Sequence, residues 1–168
     1  MIEIYVDGSA INNENPNVPT LGGVGVVMVE DGKVIEGRRF EVSSHILRDP
    51  LFRVPTIDLK RTTNNTTELA AIYAALELIK GKAGEYTIYG DSQYAGNLVF
   101  GNWKPKENKE LVAKVKQLAS EVPNVTWDYV KAHADNQYNN YADYLARSGA
   151  YKTPETEVLS FNEWLLKA

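Results

Sequence analysis

Residues 22–42 read GGVGVVMVEDGKVIEGRRFEV. Two runs rich in β-branched residues, Gly22 to Val29 and Lys33 to Val42, flank the pair Asp31-Gly32. Asp-Gly between apolar strands is a strong hairpin signal, because both residues tolerate the positive φ angles that a two-residue turn needs. Working outward, Ile2 to Val6 alternates as an earlier strand, and an Asn/Pro-rich loop from Asn12 to Thr20 separates it from the hairpin. The first three strands are therefore expected to form an antiparallel meander.

Downstream, SSHILRDPLFRVPTIDLKR, from Ser43 to Arg61, carries two prolines and no sustained period, which predicts a long connection. Connections of this length in a compact domain are uncommon and often functional. From about Thr67 to Lys80, the positions Leu69, Ile72, Tyr73, Leu76 and Ile79 follow helical spacing, with Asn and Thr available as caps and Gly81 as a stop. A short strand is expected over Tyr86 to Tyr89, then helices over Ser92 to Val99 and Asn108 to Glu121. A fifth strand follows over Val125 to Val130, and a helix over Asn139 to Ser148. A last short helix near Phe161 to Leu166 is expected to pack Trp164 onto the body. This order predicts an α/β fold with a five-stranded mixed sheet and helices on its faces.

At 168 residues and 43% hydrophobic, the chain suits one well-buried core. It has no cysteine and only two histidines, which excludes disulfides, thiolate chemistry and histidine-rich metal sites. MIEIYVDGSA lacks a basic stretch followed by an apolar one, and no apolar run approaches the roughly 18 residues of a membrane span. A soluble, cytoplasmic protein, monomeric and without a membrane partner, is expected. The net charge of −4 argues at first against phosphate binding. Setting aside Asp7, Glu68, Asp91 and Asp143, however, leaves 18 acids, from 22, against 18 Lys and Arg.

Those four carboxylates sit in IEIYVDGS, TTNNTTELAA, YGDSQYA and HADNQYNNYADYLA. Taken singly, an acid at the end of an apolar run is most often a solvated surface group. Together they form a pattern. Asp7 and Asp91 each end an apolar strand, where open α/β sheets bind ligands; Glu68 is placed in the first turn of one helix and Asp143 in another. Four clustered carboxylates would repel one another unless hard cations neutralised them, which suits Mg²⁺.

The segments DGS, TTNNTTELAAIYAAL, DSQYA, NWKPKENKEL and WDYVKAHADNQYNNYADYLA, in this order, resemble those of type 1 ribonuclease H. The resemblance covers most of residues 1–150, leaving 151–168 as a C-terminal extension with a short helix. It implies the ribonuclease H-like fold: a five-stranded mixed sheet flanked by helices on both faces. It also implies cleavage of the RNA strand of RNA–DNA hybrids with two Mg²⁺ ions, Mn²⁺ being a substitute, and 5′-phosphate and 3′-hydroxyl products. Asp7, Glu68, Asp91 and Asp143 match the family's metal ligands. Two-metal chemistry needs no side-chain nucleophile. His133 matches a mobile histidine that assists proton transfer and product departure, whereas His45 is expected to be a bystander. Asn64, Asn65, Asn139 and Gln93 match amides that contact the minor groove, where donor–acceptor side chains suit 2′-hydroxyls and base edges. Thr63 matches a residue that grips a DNA-strand phosphate. Asn13 keeps the simplest first-loop spacing, although Asn15-Pro16 is closer to the family's Asn-Pro.

Two departures from the family pattern stand out. Gly101 to Glu107 is too short for the basic, Trp-bearing protrusion of many bacterial members, and no separate N-terminal hybrid-binding module is expected. The 43–61 connection carries Arg48, Arg53, Lys60 and Arg61, which are candidates for the missing phosphate contacts. A polymerase or replication partner remains open. The alternatives are a scaffold module of the same fold, an integrase- or resolvase-type nuclease, and a two-carboxylate glycosidase, whose activity would need no metal.

Overall fold

The computed structural model describes residues 1–11, 21–42, 62–131 and 135–167. Asn13, Asn15, the 43–61 connection with its basic residues, and His133 lie outside the described residues.

Five strands form one sheet: β1 (Ile2–Ile11), β2 (Leu21–Glu30), β3 (Lys33–Val42), β4 (Tyr86–Gly90) and β5 (Val125–Tyr129), in the order β3-β2-β1-β4-β5. β1, β2 and β3 pair antiparallel, while β4 joins β1 and β5 joins β4 in parallel. This is the mixed sheet that the sequence predicts. The hairpin turns at Asp31 and Gly32, with φ of 52° and 74°, and Glu30 faces Lys33 across it. The helices are α1 (Asn64–Ile79), α2 (Gln93–Val99), α3 (Lys109–Ser120), α4 (Gln137–Ala150) and α5 (Phe161–Lys167).

Alternation along the strands divides the core in two. Ile4, Val6, Val24, Val26 and Ile88 face α1, α2 and α3, where Leu69, Ile72, Leu76, Leu98 and Val115 meet them. Tyr5, Val27 and Val29 face the opposite way, toward Tyr141, Ala142 and Leu145 of α4. Helices therefore cover both faces. On the α4 side the bed is glycine: a Cβ on Gly23 or Gly25 would lie 1.9 Å from the Ala146 carbonyl oxygen or 2.1 Å from that of Ala142.

Two expectations about position are corrected. β1 does not end at Val6. Its ladder with β4 stops at Val6–Gly90, but β2 continues to pair with it as far as Ile11–Leu21, so Asp7 lies within a strand. α1 begins earlier than expected because Thr63 caps it, accepting from the Thr66 amide at 3.1 Å while Thr66 Oγ1 accepts from the Thr63 amide at 2.7 Å. Such a cap is worth about 1 kcal/mol. Glu68 is thus in the second turn of α1, not the first.

The C-terminal segment is tied to α4 as the sequence predicts for Trp164. The Tyr141 hydroxyl donates to the Leu159 carbonyl, and the Leu159 amide donates to the Tyr144 hydroxyl, each at 2.8 Å. Trp164 packs on both tyrosine rings, with centroids 5.4 and 6.3 Å away. Among the described residues, no helix is long and apolar enough to cross a membrane.

Candidate active site

The site opens where β1 and β4 part. Asp7 and Asp91 each follow the last residue pair of the parallel ladder, which sets their carboxylates side by side. Glu68 reaches them from α1 because Gly8 lets helix and strand approach: a Cβ on Gly8 would lie 2.4 Å from the Thr67 carbonyl carbon and 2.6 Å from the Glu68 nitrogen. The same residue's N–H donates to Asp7 Oδ1 at 3.0 Å and to Glu68 Oε1 at 3.2 Å. One ligand atom from each of Asp7, Glu68 and Asp91 lies within 4.8 Å of the others.

Repulsion at this spacing is severe, roughly 3 kcal/mol per ionised pair at an effective dielectric of 20. Protons relieve it when no cation does. Burial, then the charges of Asp91 and Asp143, raise Glu68 from an ordinary 4.5 to about 8, against the opposing hydrogen bonds with Asp7 and the Gly8 amide. Asp7, only 4% exposed, is raised well above its usual value by burial first and the Glu68 charge second. These two carboxyls titrate as a pair, so the retained proton belongs to both. Asp91 is raised by burial, against the opposing hydrogen bond from Asn139. Three hard oxygen donors that hold protons because they are buried and crowd one another suit a divalent cation such as Mg²⁺.

Asp143 stands slightly apart. Its charge raises the proton affinity of all three other acids, yet it is not a member of the 4.8 Å group. Arg147, one turn along α4, directs Nε to its two oxygens at 3.1 and 3.3 Å. An exposed pair at this spacing is worth only ~0.3–0.5 kcal/mol.

The other predicted residues surround this centre. Asn139 is buried on α4 and donates to Asp91 Oδ2 at 3.5 Å, while its own Oδ1 has no partner in the protein. Asn64 and Asn65 are exposed in the first turn of α1, and Gln93 is exposed as the first residue of α2. Thr63 is the α1 cap. Asn136 caps α4 by accepting from the amides of Tyr138 and Asn139 at 3.1 and 3.0 Å. Sequence reasoning missed the Gly8 amide and Arg147. The i,i+4 spacing of Asp143 and Arg147 was a usable signal for the second.

A family model, described as RNase H, matches residues 1–151. The chain belongs to the RNase H family. Its relatives include a ribonuclease H of Mannheimia succiniciproducens, 31% identical over 95% of this chain and 93% of that one. Another, from Clostridium botulinum, is 32% identical over 85% of this chain and 91% of its own length. Among solved structures, LC11-RNase H1, isolated from compost, superposes with a TM-score of 0.67 at 26% identity, covering 90% of this chain and 96% of that one. RNase H1 from the archaeon Halobacterium salinarum gives the same TM-score at 22% identity and covers 90% of this chain and 98% of its own, a likeness of fold. Membership makes this chain an RNase H-type hydrolase, and the acidic cluster at the β1–β4 fork is the candidate centre of a nuclease of this fold.

Proposed function

We propose that this RNase H cleaves the RNA strand of RNA–DNA hybrids, leaving 5′-phosphate and 3′-hydroxyl ends, with Asp7, Glu68, Asp91 and Asp143 holding two Mg²⁺ ions. The convergence of Asp7, Glu68 and Asp91 within 4.8 Å carries this reading, since it gathers hard donors that repel one another until cations bind. LC11-RNase H1, 25% identical, has been solved in complex with an RNA/DNA hybrid, which favours the same substrate class here.

Divalent cations, when bound, supply activation of a water and neutralisation of the departing 3′-oxygen. The chain supplies the frame. Asp7 is fixed by burial, Glu68 by the Gly8 amide, and Asp91 by the Asn139 amide group. Asp143 approaches from α4. Asn64, Asn65 and Gln93 present exposed amides on helix turns next to Glu68 and Asp91, placed for 2′-hydroxyls and base edges. Asn139, through its unpartnered Oδ1, and Asn13 of the first loop complete the amide set. Thr63 contacts a DNA-strand phosphate, and His133 assists proton movement and product departure.

Residues 1–150 form the catalytic domain in this reading and 151–168 an extension. The short stretch from Gly101 to Glu107 stands, in the same reading, in place of the basic protrusion of many bacterial members. The protein works in the cytoplasm as a monomer, beside a polymerase or other replication partner where hybrids arise, and Mn²⁺ substitutes for Mg²⁺.

Labelled RNA–DNA hybrid, double-stranded DNA and double-stranded RNA, each with Mg²⁺, Mn²⁺ or chelator, test the proposal. The expected result is metal-dependent cutting of the RNA strand of the hybrid alone. Equal cleavage of double-stranded DNA, or full activity in chelator, would overturn it.

A further inference from the structure

Asp143 differs from the other three acids in having a cationic partner among the described residues. Arg147 engages both of its oxygens, and the guanidinium is itself exposed. Asn140, Asp143, Tyr144, Arg147 and Trp164 line an open cleft of about 500 Å³. Trp164 comes from beyond residue 151, where the family match ends, so the C-terminal segment helps to build this cleft.

We propose that Arg147 is a positioning residue that exchanges partners. Without metal it holds the Asp143 carboxylate outside the group formed by Asp7, Glu68 and Asp91. When a divalent cation draws Asp143 in, the freed guanidinium turns to a backbone phosphate of the nucleic acid in the cleft beside it. This deepens the function proposed above and rests on the reading of Asp143 as a ligand.

The physical case has three parts. The charge of Asp143 reaches every other acid of the site, yet its carboxylate lies outside their close group, so it must move to join them. The ion pair is exposed and monovalent, and a divalent charge in a desolvated cluster is the stronger competitor for the same carboxylate. A guanidinium released from a carboxylate keeps its charge and its forked donors, the geometry that suits a phosphate. The rings of Tyr144 and Trp164 bound the place where it would bind.

Calorimetric titration of the full chain with Mg²⁺, without nucleic acid, reads the first exchange. Arg147→Gln should bind Mg²⁺ roughly two- to tenfold more tightly, and Arg147→Lys should return toward wild type. Lys116→Gln on α3, across the sheet, makes the same charge change far from Asp143 and should leave the affinity as it was. Binding of RNA–DNA hybrid reads the second exchange. In Ca²⁺, Arg147→Gln should weaken binding and make the slope of log affinity against log salt shallower by about one. In chelator it should bind as wild type does. An unchanged Mg²⁺ affinity in Arg147→Gln, or an equal loss of hybrid affinity with and without metal, overturns the proposal. Hybrid cleavage by the wild-type chain is scored separately. A chain that shows the Mg²⁺ response but leaves hybrids uncut would refute the proposed substrate, not the exchange at Asp143.

Discussion

Asp7 stands directly opposite Gly25 across the β1–β2 ladder, and Gly25 is where α4 rests on the sheet, its absent side chain leaving room for the Ala142 carbonyl. Asp143 is the next residue after Ala142. The separation of the first and last acids is therefore set by direct contact between a strand backbone and a helix backbone, with no side chain to yield between them.

Gly25→Ala should consequently lift α4. A methyl group 2.1 Å from a helical carbonyl oxygen cannot be relieved by rotating a side chain. We expect a loss of about 1–3 kcal/mol in chemical denaturation, with a fall in turnover as Asp143 moves. Gly37→Ala meets side-chain atoms instead, the Tyr141 ring at 3.2 Å and Leu145 Cδ1 at 3.5 Å, and should cost less. Equal stability of Gly25→Ala and wild type would show that α4 is not seated as described.

Asp7→Asn and Asp91→Asn should each abolish Mg²⁺-dependent turnover while the protein stays folded. Removing one charge from the cluster relieves repulsion in the metal-free state, so its melting temperature should hold or rise. A folded Asp91→Asn protein with undiminished activity would refute the ligand assignment.

Stability of the metal-free protein should fall as pH rises. Glu68 is ordinarily half-protonated at 4.5 but at about 8 in the folded chain, so between these values the folded state holds more protons than the unfolded one. Its stabilising contribution is complete below 4.5 and is lost as pH climbs through about 8. Melting curves from pH 5 to 9 should slope downward, and Glu68→Gln or saturating Mg²⁺ should flatten them. Identical slopes for wild type and Glu68→Gln would contradict this.

His133→Ala should lower turnover by roughly tenfold to a hundredfold without eliminating it, the contribution of an assisting acid–base group. Hybrid affinity should change little. Complete inactivation, or wild-type turnover, would remove His133 from that role.

Much of this architecture was readable in advance where a local signal decides the structure. Asp31-Gly32 specified its turn by backbone chemistry alone, and the spacing of Leu69, Ile72, Leu76 and Ile79 specified the buried face of α1. Reading was less reliable where a distant partner decides. Nothing in IEIYVDGSAI shows that the strand runs on to Ile11, because the ladder depends on Gly22 and Gly23 being free to pair there. The start of α1 was misplaced because the cap, Thr63, is one of several Thr and Asn residues that could have served. The strand pattern of Gly22 to Val29 gives Gly23 and Gly25 no role; only the packing of α4 shows what their missing side chains are for. At the site, all four acids stood out from their motifs, while the pairing of Asp143 with Arg147 was signalled only by their i,i+4 spacing.

The central strand also imposes an order on assembly. β1 is made before β2 and β3, which follow it closely and can fold back at once, but its other neighbour begins only at Tyr86. While a ribosome is still elongating the chain, the emerging meander must carry one bare edge of β1, unpaired along Ile2 to Val6, until β4 emerges to cover it. The acidic centre forms at that same closure, since Asp91 arrives with β4. A nascent chain thus cannot acquire a metal-binding cluster before that edge of β1 has been sealed.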